Sequence, residues 1–182
     1  MSAKILVPIA DGSEEIEAVT IIDTLRRAGV SVTVASVNGL TIKASRGVVI
    51  TADALIAECK DTAWDVVALP GGMPGAEHLR DSPDLTAILK VQAAANRPYA
   101  AICASPAVVL DPLGLLKGKR ATCSPSYRLT NAIFSEDRVV VDGNCVTSRG
   151  PGTALEFALA LVEVLFGKAK SEQLAREMLL KV

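Results

Sequence analysis

Lys4-Ile5-Leu6-Val7-Pro8-Ile9-Ala10-Asp11-Gly12-Ser13-Glu14-Glu15-Ile16-Glu17 joins a continuous apolar run to a cluster of acids. The run has the length of a strand, and unbroken hydrophobicity rather than alternation marks a strand buried on both faces. The acids suit the first turn of a helix, where free N–H groups and the macrodipole favour negative charge. From Ile16 the spacing Ile16, Val19, Thr20, Ile22, Asp23, Leu25 and Arg26 reads as an amphipathic helix, closed by Gly29 as its C′ residue. A buried strand leading straight into a helix is the opening of a parallel α/β sheet.

The same alternation recurs along the chain. Val30 to Val37 is a second apolar strand, and Asn38-Gly39, the dipeptide preferred in tight hairpins, predicts that Ser31 to Val37 pairs with Leu40 to Ala44. Asp65 to Leu69 is a third strand, broken by Pro70-Gly71-Gly72. Ser82-Pro83-Asp84 supplies an N-cap, a proline at the first helical position and an acid, opening a helix that runs to about Ala95. Further strands are expected at Tyr99 to Ile102, Lys119 to Thr122, Arg138 to Asp142 and Cys145 to Thr147, with closing helices at Gly152 to Phe166 and Ser171 to Leu180. No repeat or linker intervenes, so the expectation is one α/β domain over residues 1–182, an open, mostly parallel sheet with helices on both faces.

Composition agrees. Half of the 182 residues are hydrophobic but only six are aromatic (one Trp, two Tyr, three Phe), so Val, Leu, Ile and Ala must build the core. Nineteen basic against twenty acidic residues leave a net charge of −1, with no basic stripe, which argues against nucleic acid as the main partner. Cys59, Cys103, Cys123 and Cys145 form no C-x-x-C pair, and His78 is the one histidine, so no metal site is expected. The N-terminal run is too short and too acidic for a signal peptide, and no apolar stretch reaches membrane-spanning length. A cytoplasmic protein with free thiols and no membrane partner is the expectation.

In open α/β sheets, ligands bind just outside the carboxyl ends of the strands. Three expected strand ends carry Glu14, Glu15 and Glu17, then Gly71-Gly72, then Cys103. Cys103 sits where a buried strand turns abruptly toward a helix, the setting of a nucleophile elbow, and the helix N-terminus beyond it would lower the thiol pKa. A small buried cysteine is the alternative, and the position favours chemistry. Glu14 and Glu15 read as acids complementing the helix dipole. Glu17, in an apolar stretch, could tune the thiol, with a sign set by its own protonation: ionised it raises the thiol pKa, neutral and donating it lowers it. An N–H of Gly71 or Gly72, with that of Ala104, would form an oxyanion hole.

Asp11-Gly12-Ser13-Glu14-Glu15-Ile16-Glu17-Ala18, Arg26-Arg27-Ala28-Gly29, Leu69-Pro70-Gly71-Gly72, Ala101-Ile102-Cys103-Ala104 and Thr147-Ser148-Arg149-Gly150-Pro151-Gly152-Thr153 together resemble the DJ/ThiJ/PfpI superfamily. Within it the chain is most similar to the subfamily of the parkinsonism-associated protein deglycase, from about Lys4 to Gly167. The resemblance implies a flavodoxin-like sandwich, a homodimer, and a cofactor-free glyoxalase or deglycase acting on small aldehydes or glycated adducts, or a redox-sensing chaperone whose Cys103 oxidises to a sulfinic acid. It further implies that Cys103 and a protonated Glu17 are the reacting groups and that Gly72 and Ala104 are the backbone donors. Arg27 and Arg46 match arginines near the site and dimer interface, with a solvated-face reading equally open for each, and the segment around Arg149 falls close to the dimer contact.

The chain departs from the family at Thr122-Cys123-Ser124-Pro125, where members commonly carry a histidine before the proline. A cysteine peptidase or amidotransferase-like mechanism loses its imidazole, and Ser124 is left as a weak partner. Cys123 could resolve an oxidised Cys103, although a buried spectator thiol is the favoured reading. His78 is expected at the surface, and Cys59 and Cys145 are expected to be structural.

Overall fold

In the computed structural model, residues 2–180 are described; residues 1, 181 and 182, which the expected domain span includes, lie outside them. In chain order the elements are β1 (Lys4–Ile9), α1 (Glu15–Arg27), β2 (Ser31–Ser36), β3 (Thr41–Lys43), β4 (Val49–Thr51), β5 (Ala54–Leu55), β6 (Val66–Leu69), α2 (Gly75–Arg80), α3 (Pro83–Ala94), β7 (Tyr99–Ile102), β8 (Arg120–Ala121), β9 (Ile133–Phe134), β10 (Val139–Asp142), β11 (Cys145–Ser148), α4 (Ala154–Phe166) and α5 (Lys168–Glu177).

Seven strands form one sheet in the order β10-β11-β7-β6-β1-β2-β5, parallel throughout except for β10 against β11. Side chains of β1 alternate between two cores. Ile5, Val7 and Ile9 pack with Ile21 and Leu25 of α1 and Phe157 and Leu161 of α4. Leu6 packs on the other face with Leu85, Ile88 and Leu89 of α3. The alternation follows from the two-residue period of a strand, and covering both faces explains why β1, β6 and β7 read as unbroken apolar runs. The fold is the expected flavodoxin-like α/β sandwich. The chain leaves β1 toward β2 and β5 and then crosses back to β6 on the other side, which makes the β1/β6 boundary a topological switch point and puts a crevice at their carboxyl ends.

Two expectations are corrected. Ser31 to Val37 does not pair with Leu40 to Ala44: β2 lies inside the sheet, paired in parallel with β1 along its length and with β5 at Ala35 and Ser36, so β5 takes the outer edge next to Asn38-Gly39. β3 instead pairs with β4 in a separate antiparallel ribbon, whose turn is made at Gly47 with φ 94°. The face of α1 is also different. Glu15, Glu17, Ala18, Ile21, Thr24 and Leu25 point inward, while Ile16 and Val19 are 55% and 49% exposed. Glu17 and Thr24 on the inner face disguise its period, and the exposed apolar residues imitate one. The helix expected from Ser82 forms as read, with the Ser82 hydroxyl accepting from Leu85 N–H.

Candidate active site

Three strand ends meet at the switch point. After β7 the chain turns at Cys103 with φ 65°, a left-handed conformation that costs a residue with a Cβ on the order of 1–2 kcal/mol. Hydrogen bonds hold it there: Cys103 N–H donates to Ser148 O of β11 (3.0 Å), and Cys103 O accepts from Ser124 N–H (2.8 Å). One residue beyond Ala104, the buried Ser105 hydroxyl donates to Pro70 O (2.6 Å) and ties the elbow to the end of β6. The approach is close enough to require glycine at position 71, where a Cβ would fall 2.6 Å from that of Cys103 and 2.8 Å from Ile102 O.

The loop after β1 supplies the acid. Glu14 is the N-cap of α1, its carboxylate accepting from Glu17 N–H at 2.8 Å. Its own N–H donates to Gly71 O at 2.9 Å, so the β1 and β6 loops are locked together. Glu17 is wholly buried. Its Oε2 accepts from Gly71 N–H at 2.7 Å, whereas Oε1 has no hydrogen-bond partner among the described residues. The Cys103 thiol and the Glu14 carboxylate are the further polar neighbours of this carboxyl.

Burial pushes Glu17 up from 4.5 to about 7, against the Gly71 N–H hydrogen bond and the neighbouring Cys103 thiol, which work downward, and with the nearby Glu14 charge. Cys103 is pushed up to about 12, first by burial and then by Glu17, while the N–H groups of Gly72 and Ala104 oppose the rise. The expectation that a helix N-terminus lowers the thiol pKa is therefore corrected. The elbow leads into a single wide helical turn, Pro106–Leu110, and desolvation with the adjoining carboxylate outweighs it. Between these two titrations the pair carries one negative charge. A proton on Glu17 removes the repulsion and turns the carboxyl into a donor, leaving the charge on sulfur against Gly72 and Ala104 N–H. The geometry also divides the two glycines: Gly71 N–H serves the acid and Gly72 N–H the thiol.

Cys103 opens onto two adjoining cavities. One, of about 320 Å³, is lined by Glu14, Ser45, Arg46, Gly72, Ala104 and Tyr127 among others. The other, of about 470 Å³, is lined by Ser124, Glu136, Arg138, Arg149 and the turn Gly150–Thr153. Arg46, Ser124 and Arg149 are thus brought to the thiol. Arg27 is not: it ends α1, ten residues or about 15 Å of helix beyond Glu17, and pairs with Asp23 at the surface. Cys123 is fully buried, with its thiol 3.6 Å from Tyr127 O, and lines neither cavity. His78 is half-exposed on α2, its Nδ1 2.8 Å from Asp11 O. All four cysteines are free thiols.

Sequence reading missed two features. Glu15 does more than complement the helix dipole, because its carboxylate accepts from the Ser45 hydroxyl and from Arg46 N–H and so holds the ribbon loop over the site. Tyr127, in a polar loop without periodicity, lines the cavity at Cys103, and nothing local to its sequence marks it.

The DJ-1/PfpI family matches residues 3–164. The chain belongs to the DJ-1/PfpI family. It is 54% identical over 179 residues to protein DJ-1 homolog B of Arabidopsis thaliana, covering 97% of this chain but only 41% of that protein, so the chain spans less than half of that relative. It is 36% identical over 183 residues to the glutathione-independent glyoxalase DJR-1.2 of Caenorhabditis elegans, covering 98% of this chain and 96% of that one. Among solved structures, the oxidised DJ-1 of Toxoplasma gondii shares 49% identity and superposes with a TM-score of 0.95 over the whole of both chains. No helix among the described residues is long and apolar enough to cross a membrane.

Proposed function

We propose that this DJ-1/PfpI protein is a glyoxalase working through Cys103 and Glu17, converting glyoxal and methylglyoxal to glycolate and lactate without a cofactor. The observation that carries this reading is the wholly buried carboxyl of Glu17 beside a thiol held at positive φ, the two sharing one negative charge near neutral pH. The glyoxalase name of the nematode relative supports it.

The chemistry balances on these groups alone. The Cys103 thiolate adds to the aldehyde carbon, and Glu17 gives its proton to the carbonyl oxygen, forming a hemithioacetal. Glu17, now a carboxylate, removes the C1 proton to leave an enediolate, the proton of the C1 hydroxyl passes to the C2 oxygen, and return of the Glu17 proton to C2 leaves a thioester. Water cleaves the thioester to the 2-hydroxy acid and restores the thiol. A general acid–base tuned near 7 suits both directions of transfer. Gly72 and Ala104 N–H face the sulfur and the oxygen that gathers charge beside it.

Early glycation adducts, which present the same carbonyl oxidation level, are the wider substrate class, and protection against carbonyl and oxidative stress is the role. One domain over residues 1–182 carries the activity in the cytoplasm. A homodimer is favoured by the apolar patch at Ile16 and Val19 of α1 and Val48 and Val49 of the ribbon, all about half-exposed or more; a monomer by light scattering contradicts that part. The second reading, a redox sensor or chaperone with sulfinic Cys103, is favoured by the partial exposure of Cys103 and by the oxidised state of the Toxoplasma relative.

Lactate release from methylglyoxal by the reduced, metal-stripped protein tests the reading, with Cys103→Ser as its control. Turnover lost in the variant supports the glyoxalase. Equal turnover in both overturns it, and no turnover in either, with selective peroxide oxidation of Cys103, replaces it with the sensor.

A further inference from the structure

We infer that Tyr127 is a further catalytic residue, its phenol donating a hydrogen bond to the second carbonyl oxygen of a 2-oxoaldehyde bound at Cys103. The inference rests on the glyoxalase reading of the same site. Tyr127 lines the cavity that holds Cys103, Gly72 and Ala104, and it also lines a neighbouring cavity of about 410 Å³ with Pro125, Leu129 and Phe134. It therefore borders the space that a substrate attacked at Cys103 would occupy.

Tyr127 is placed by an anchored loop. At one end Ser124 N–H donates to Cys103 O (2.8 Å) and Tyr127 N–H to Ser124 O (2.9 Å). At the other the buried carboxylate of Asp111, at the end of the turn after the elbow, accepts from Thr130 N–H (2.7 Å), the Thr130 hydroxyl (2.8 Å) and Asn131 N–H (3.1 Å). Both anchors belong to the segment that carries the nucleophile, so phenol and thiol are positioned as one unit. The Tyr127 backbone is engaged, while its hydroxyl has no hydrogen-bond partner among the described residues. Burial and the Cys103 charge both raise the phenol's pKa, keeping it a donor at neutral pH.

The reaction needs such a donor. When Glu17 removes the C1 proton, negative charge moves to the oxygen on C2, and Gly72 and Ala104 N–H are already directed at the sulfur. The phenol supplies a hydrogen bond to that oxygen without losing its proton.

Steady-state kinetics on methylglyoxal with wild type, Tyr127→Phe and Cys103→Ser test it, alongside the iodoacetamide alkylation rate of Cys103. Tyr127→Phe is expected to lower kcat at least about tenfold, as loss of one oxyanion donor does, with a smaller change in KM and unchanged alkylation. A kcat within twofold of wild type, in a protein whose turnover still requires Cys103, overturns the inference and leaves the glyoxalase standing. Alkylation falling in step with kcat assigns Tyr127 a structural role and also overturns it. Wild type without Cys103-dependent turnover overturns both.

Discussion

Glu15 and Glu17 stand in the same turn of α1, both buried, and face two regions that treat them oppositely. Glu15 turns to the ribbon loop. There burial works against its charge, but hydrogen bonds from its own backbone, the Ser45 hydroxyl, and Arg46 and Val48 N–H win and hold it below the usual carboxylate range. Glu17 turns to the elbow, where one backbone N–H and a thiol are too few to offset burial, and it rises to about 7. One acid is a fixed anion that clamps a loop; the other is a proton carrier. The number of donors around each carboxylate, together with its depth, separates a structural acid from a reactive one.

The largest effect expected is from Cys103→Ser, which should remove methylglyoxal turnover by on the order of a thousandfold or more in kcat. Next, Glu17→Gln should lower kcat by about 10²- to 10⁴-fold, the usual range for a general acid–base, as read by lactate release. Glu15→Gln should spare kcat within about threefold and instead lower the melting temperature by a few degrees, roughly one lost charge-assisted hydrogen-bond set. The reverse pattern in the two variants breaks the comparison.

The pH dependence of stability should carry the same contrast. A raised folded-state value means that the folded protein binds the Glu17 proton more tightly, so this contribution is complete below 4.5 and is lost as pH rises through about 7. Its size is roughly 3 kcal/mol at most. Glu15 has the opposite sign: its contribution is present above 4.5 and disappears as pH falls through its lowered value. Urea melts from about pH 2 to 8 should show Glu17→Gln flattening the upper part of the profile and Glu15→Gln the part below 4.5. Gly71→Ala forces the added methyl against the Cys103 Cβ; it should cost about 1–3 kcal/mol of stability and slow Cys103 alkylation.

The sheet was legible in the residues because its strands are buried on both faces, and unbroken apolar runs such as Lys4–Ile9 and Tyr99–Ile102 have few other readings. The strand-end rule then put Glu17, Gly71-Gly72 and Cys103 on one edge. Local signals with competing solutions were the misleading ones. Asn38-Gly39 can close a hairpin, but the end of β2 before it is already paired with β1 and β5, and Ile16 with Val19 imitates an inward face while pointing to solvent. Tyr127 was not legible, because its place depends on Asp111 gripping Thr130 and Asn131 across a loop. The proton balance of Cys103 and Glu17 was left open in the sequence because it depends on which N–H groups each receives.

The most direct test of that shared proton is the pH profile of Cys103 alkylation in wild type and in Glu17→Gln. We expect the wild-type rate to rise with an inflection near 7, where the pair loses its first proton, and the variant's inflection to move upward by at least about one pH unit toward that of an isolated buried thiol. Superimposable profiles would contradict the coupling of Glu17 to Cys103 on which the mechanism rests.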